Sequence, residues 1–141
     1  MVAVAGSFEL QGAITITAEK GTSAGITKGD VCSLSSNKWI TASTSASGPF
    51  AVAIETTATA TTTQDLITGG IVYVTADGTI NPNASVVVSA STAGHVQASA
   101  TPFAAGVIGR YLGHENEPSG TTVPTQAVDG DIIRIQLGGP L

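Results

Sequence analysis

Charge is scarce in this chain. Lysine, arginine, aspartate and glutamate make up 11% of its 141 residues, against roughly a quarter in an ordinary globular domain. The five basic residues are spread singly and the formal net charge is −5. With no basic patch, the composition argues against direct nucleic-acid binding, and no polybasic segment is offered to a membrane surface. Aromatic residues are also few, at 4%, so a core must be built from Val, Ile and Leu with Ala in the narrow gaps. The single cysteine, Cys32, excludes an internal disulfide and a thiolate metal cluster and reads as a small strand residue. No apolar run approaches the ~18 residues of a membrane-spanning helix. The opening MVAVAGSFEL lacks a basic n-region, and its apolar run is too short for a signal peptide, which predicts synthesis in a cytoplasm without export. Helical periodicity is missing too: Gly, Thr or Pro interrupts almost every window of ten residues.

What the chain does have is Thr, Val and Gly, the residues of strands and turns. AITITA alternates, with Ile14 and Ile16 on one side and Thr15 and Thr17 on the other. GDVCSLS and KWITAS are short runs joined by SSN, which is turn material. PFAVAIE sets Phe50, Val52 and Ile54 on one face and small Ala on the other. GGIVYVTADG is a β-branched run between turns, and DIIRIQLGG points Ile133, Ile135 and Leu137 inward. The predicted fold is all-β, a small β-barrel or sandwich of short strands.

Two phrases nearly repeat, GPFAVAIE from Gly48 and TPFAAGVIG from Thr101. Each belongs to a longer unit, about 26–78 and about 80–139: a strand pair, Pro-Phe-Ala opening an apolar strand, a polar loop, and a Gly-led β-branched strand. The first loop is TTATATTTQDLIT; the second is HENEPSGTTVPTQAV. Pro49 and Pro102 suit the first position of a strand, where no ladder donor is needed. Phe50 and Phe103 are expected at related core positions. The two halves are expected to supply equivalent strands to one sheet within a single β domain, 13–141. Residues 1–12 fall outside the repeat and read as an extended N-terminal arm or an added edge strand. The even-numbered Val2, Val4, Phe8 and Leu10 would share one face of an extended arm.

Catalytic motifs are weak. GTSAG, Gly21 to Gly25, fits the G-x-S-x-G nucleophile pattern with Ser23, but that elbow needs a strand before it and a helix after it. The following ITKGDV is turn and strand, so no enzyme is predicted. His95 and His114 lack metal-ligand spacing and read as surface residues. Glu115 and Glu117 share one loop. Asp129 and Asp131, in VDGDI, read as a tight turn and not as a cation site. No cofactor is predicted. Trp39, the only tryptophan, is expected in the core.

The order GAITITA, ITKGDVCSL, PFAVAIE, GGIVYVTADG, AAGVIGRYL and GDIIRIQL resembles the small β-rich decoration, or cement, proteins of tailed-phage capsids, over roughly Gly12 to Leu137. The chain departs from that pattern in its Thr-rich loop, Thr56 to Thr63, and in HENEPSGTTVPTQ. The resemblance implies a non-enzymatic virion protein, made in the host cytoplasm, that binds the outer surface of an assembled capsid and stabilises it. Its partner would be the major capsid protein, and it would be a homo-oligomer, often a trimer. On that reading the arm residues Val2, Val4, Phe8 and Leu10 contact the shell in place of the core. The alternative is a cell-surface adhesion or carbohydrate-binding β module, which needs a secretion route and exposed aromatic rings.

Overall fold

The computed structural model describes residues 4–44, 46–100, 106–114 and 125–137, and every regular element among them is a β-strand. In chain order these are β1 (Ile14–Glu19), β2 (Val31–Ser35), β3 (Lys38–Thr41), β4 (Phe50–Ala53), β5 (Thr63–Thr75), β6 (Ser85–Val88), β7 (Val96–Ala98), β8 (Val107–His114) and β9 (Ile132–Leu137). They form a curled antiparallel sheet, half of a barrel, in the order β3-β2-β4-β5-β9-β8-β6-β7, with β1 added on β5.

That order is symmetric about its centre. In the first half a hairpin, β2–β3, is followed by β4 on β2 and β5 on β4. In the second half the hairpin β6–β7 is followed by β8 on β6 and β9 on β8. The last strand of each half, β5 and β9, then pair antiparallel from Gly70–Leu137 to Thr75–Ile132. The two halves of the described sheet therefore pair their strands in the same succession. The β2–β3 turn holds Ser36 and Asn37 at φ of 50° and 64°, both positive as a two-residue hairpin turn with the right twist requires. Phe50 is half-buried against the main core. Its expected counterpart Phe103, with Pro102, lies outside the described residues.

β5 corrects the sequence reading. The stretch Thr63–Thr68 was expected to be part of a polar loop, yet it is the first half of a thirteen-residue strand. This first half pairs with β1 and β4, and the second half pairs with β9. The join is at Gly70, whose φ of +107° suits glycine and where a Cβ would lie 3.0 Å from the Ala13 Cα.

The same stretch shows why the loop reading failed. Leu66 and Ile67 are consecutive, point to opposite faces, and are both fully buried, because the first half-sheet carries a core on each side. Val31, Val52 and Ile67 enter the main core with Val72, Val74, Ile133, Ile135 and Tyr111. Cys32, Ala51, Ala53, Leu66 and Trp39 form a second, smaller core with Ile26. The Phe50/Val52/Ile54 face thus meets the main core, and the Ala face, Ala51 and Ala53, meets the second one. Burying Leu66 and Ile67 contributes about 2 kcal/mol each. Trp39 is a core residue, 8% exposed.

The two ends of the sheet are drawn together by the β6–β7 turn. Gly94 donates its N–H to the Ala42 carbonyl (3.1 Å), and its own carbonyl accepts from the Val31 N–H (2.9 Å). Asp30 beside it accepts from the Thr27 N–H at 3.1 Å and from the Thr41 hydroxyl at 3.0 Å.

Candidate interaction surface

The N-terminal arm is docked on the sheet. The Gly6 N–H donates to the Tyr73 carbonyl (2.7 Å), the Tyr73 N–H to the Ser7 carbonyl (2.9 Å), and the Glu9 N–H to the Ile71 carbonyl (3.0 Å). Phe8 bridges Val72 and packs half-buried against the main core. Gly6 makes the approach possible: at φ +84°, a Cβ there would lie 2.5 Å from the Lys28 Cγ and 2.8 Å from the Ala53 carbonyl oxygen. Glu9 reaches Arg134 at 3.6 Å, an exposed pair worth little by itself.

The expectation that the arm stands apart from the core is therefore corrected for Phe8. The single apolar face is corrected as well. Bonds from the Ser7 N–H to the Val4 carbonyl (3.0 Å) and from the Ala13 N–H to the Leu10 carbonyl (3.3 Å) turn the chain twice, and two turns break an every-second-residue alternation. Val4 is 54% exposed and Leu10 86%. Val2 lies outside the described residues.

β1 continues this surface. It is exposed along nearly its whole length, with Ile14 at 60% and Ile16 at 36%. Ile16 stands opposite the buried Leu66 on β5, so the two side chains share a face. Of the six large hydrophobics exposed among the described residues, four belong to this stretch: Val4, Leu10, Ile14 and Ile16. Val4 and Leu10 are among the arm residues that the sequence singles out, whereas Ile14 and Ile16 are not among them. The available signal was ITIT, an apolar alternation with no Lys or Pro to blunt an edge.

The other candidate chemistries do not assemble. Ser23 is exposed in a bend that leads to a bridge at Ile26 and a turn, with no helix after it. His95 lies just before β7, its N–H bonded to the Thr92 carbonyl and its carbonyl to the Ser89 N–H. Asp129 accepts from the Gly78 N–H (3.0 Å) and Asp131 from the Val128 N–H (2.9 Å), the pattern of a side-chain-supported turn. Asp77 accepts a short bond from the Ser89 hydroxyl. That bond, with smaller help from Thr92, Asp129 and His95, holds its carboxyl below the usual carboxylate range. No group of three or more His, Cys, Asp or Glu suited to a metal ion occurs among the described residues; Glu115 and Glu117 lie outside them. Cys32 is a buried thiol pushed up to about 12, chiefly by desolvation and then by the nearby charge of Asp30, which leaves it a poor nucleophile.

Compared with models of known protein families and with curated proteins, the chain matches none.

Proposed function

We propose that this chain is a structural virion protein that binds the outer surface of an assembled capsid and stabilises it, with the major capsid protein as partner and a homo-oligomer, a trimer, as the bound form. The observation that carries the reading is the N-terminal surface. An otherwise charge-poor β domain concentrates Val4, Leu10, Ile14 and Ile16 along one arm and one edge strand. Scattered exposed hydrophobics need no explanation, but a grouped set marks a contact. The chain just past β1 is bridged to β3 at Lys20–Trp39, so what β1 offers a partner is the exposed face of Ile14 and Ile16. A protein that binds the closed shell and not its free subunits stabilises the shell by mass action, and several contacts per oligomer multiply the effect. This role requires no catalytic group.

A carbohydrate-binding or adhesion module would present exposed rings. Among the described residues Trp39 and Tyr111 are buried, while Phe8, Phe50 and Tyr73 are half-buried, so no observation favours that second reading.

The test is co-sedimentation of the purified chain with undecorated phage heads, beside the variants Leu10→Ser and Ile14→Thr. Both replace exposed side chains and should leave thermal unfolding nearly unchanged. Binding by the parent chain and its loss in the variants is the expected result. Undiminished binding by both variants would remove this surface from the mechanism. Absence of the chain from mass spectra of virions released by cells that make it would refute the function itself.

A further inference from the structure

Lys20, the residue after β1, is 1% exposed. Among the described residues the ion pairs are Lys38–Glu19 and Arg134–Glu9, so no carboxylate accompanies it. Its Nζ instead meets four main-chain carbonyl oxygens: Gly21 at 2.8 Å, Ala24 at 2.9 Å, Thr59 at 3.2 Å and Thr61 at 3.3 Å. An ammonium has three protons to donate, so four oxygens share three N–H bonds. Carbonyl dipoles converging from several directions on one point form the field that replaces the hydration shell of a potassium ion in other proteins. Here the field encloses a buried charge that would be costly without such partners.

The oxygens come from two loops, residues 21–25 and 57–62, which join each other beyond the cage. Ile26 and Thr57 exchange N–H···O bonds of 3.1 and 2.9 Å. The Thr57 hydroxyl donates to the Gln64 Oε1 at 2.6 Å, and the buried Gln64 Nε2 donates to the Glu55 carbonyl at 2.9 Å. Ile26, which directly follows the first loop, enters the second core beside Cys32, Trp39 and Leu66. The loops themselves are Thr, Ser, Ala and Gly, which bring little apolar surface to hold a loop in place.

We propose that the four carbonyls form a monovalent-cation site that the chain fills with its own side chain, and that the filled site is the latch holding both loops over the second core. With the latch open, Cys32 and Trp39 become accessible while the main core, on the other face of the half-sheet, stays folded.

Two variants test this. Lys20→Ala empties the cage; Lys20→Met fills it with an uncharged stem. The readouts are the labelling rate of Cys32 by a neutral thiol reagent and the emission of Trp39, at one pH and ionic strength, in potassium, ammonium and tetramethylammonium chloride. The parent chain should label slowly in all three salts. Lys20→Ala should label faster by on the order of tenfold or more in tetramethylammonium, having lost several charge-assisted bonds, and should return toward the parent rate in potassium or ammonium. Lys20→Met should label fast in every salt. If Lys20→Ala does not fold in tetramethylammonium, its refolding in potassium or ammonium is the same rescue. Slow labelling of both variants would overturn the latch. A Lys20→Ala rate, or a failure to fold, that is the same in all three salts would overturn the cation site.

Discussion

Raising the pH should destabilise the fold through one thiol, by an amount the structure sets. Cys32 is fully buried among Ala51, Leu66 and Trp39. Its ordinary value of 9.0 is pushed up to about 12 by burial, then by Asp30, against a smaller opposing bond from the Ala53 backbone. A folded-state value above the unfolded one means that the fold favours the neutral thiol. The contribution is complete below about pH 9, where both states hold the proton, and is lost progressively between about pH 9 and 12, because only the unfolded chain ionises there. At pH 10.5 the unfolded thiol is almost wholly ionised and the folded one is not, which costs about 2 kcal/mol relative to pH 7.5. That is a sizeable fraction of the stability of a small domain. The measurement is a difference between two proteins, so that only the Cys32 contribution remains. Urea unfolding, followed by Trp39 emission, is carried out on the parent chain and on Cys32→Ala at pH 7.5, 9 and 10.5. The stability gap between the two proteins should shift by about 2 kcal/mol in favour of the variant from the lowest to the highest pH. A gap that stays constant across the series would refute the burial argument, and with it the closed second core.

At the acid end, the Asp77 carboxyl is held low first by the Ser89 hydroxyl. Its stabilising effect is present above the ordinary carboxylate value and is lost as pH falls through the folded one. Ser89→Ala should move the Asp77 titration, followed by NMR, upward toward the ordinary range; an unmoved titration would remove Ser89 as the cause. In the main core, Phe50→Ala should lower stability by about 2 kcal/mol, roughly half the cost of a fully buried ring, because Phe50 is only half-buried. An unchanged melting temperature would show that the ring does not anchor the start of β4.

The sequence by itself determined the all-β class and most of its strands. Alternation in ITIT and IIRIQL, β-branched runs and turn residues all act between near neighbours, so they can be read without knowing what lies across the sheet. The inward set Ile133, Ile135 and Leu137 is buried as its alternation predicts.

Only the tertiary structure decided what depends on partners distant in the chain. Thr63–Thr68 looked like a polar loop because it carries Gln64 and Asp65 among its apolar residues. It is a strand because two cores meet it, one on each face, and because the buried Gln64 is satisfied by the Thr57 hydroxyl and the Glu55 and Asp65 carbonyls. Phe8 was grouped with Val4 and Leu10 by parity, but two turns in the arm send Phe8 into the core and leave the others outside. Lys20 gave no sign in the sequence of being anything but a surface lysine. Its burial rests on carbonyl oxygens, which every residue carries and no side-chain pattern can reveal.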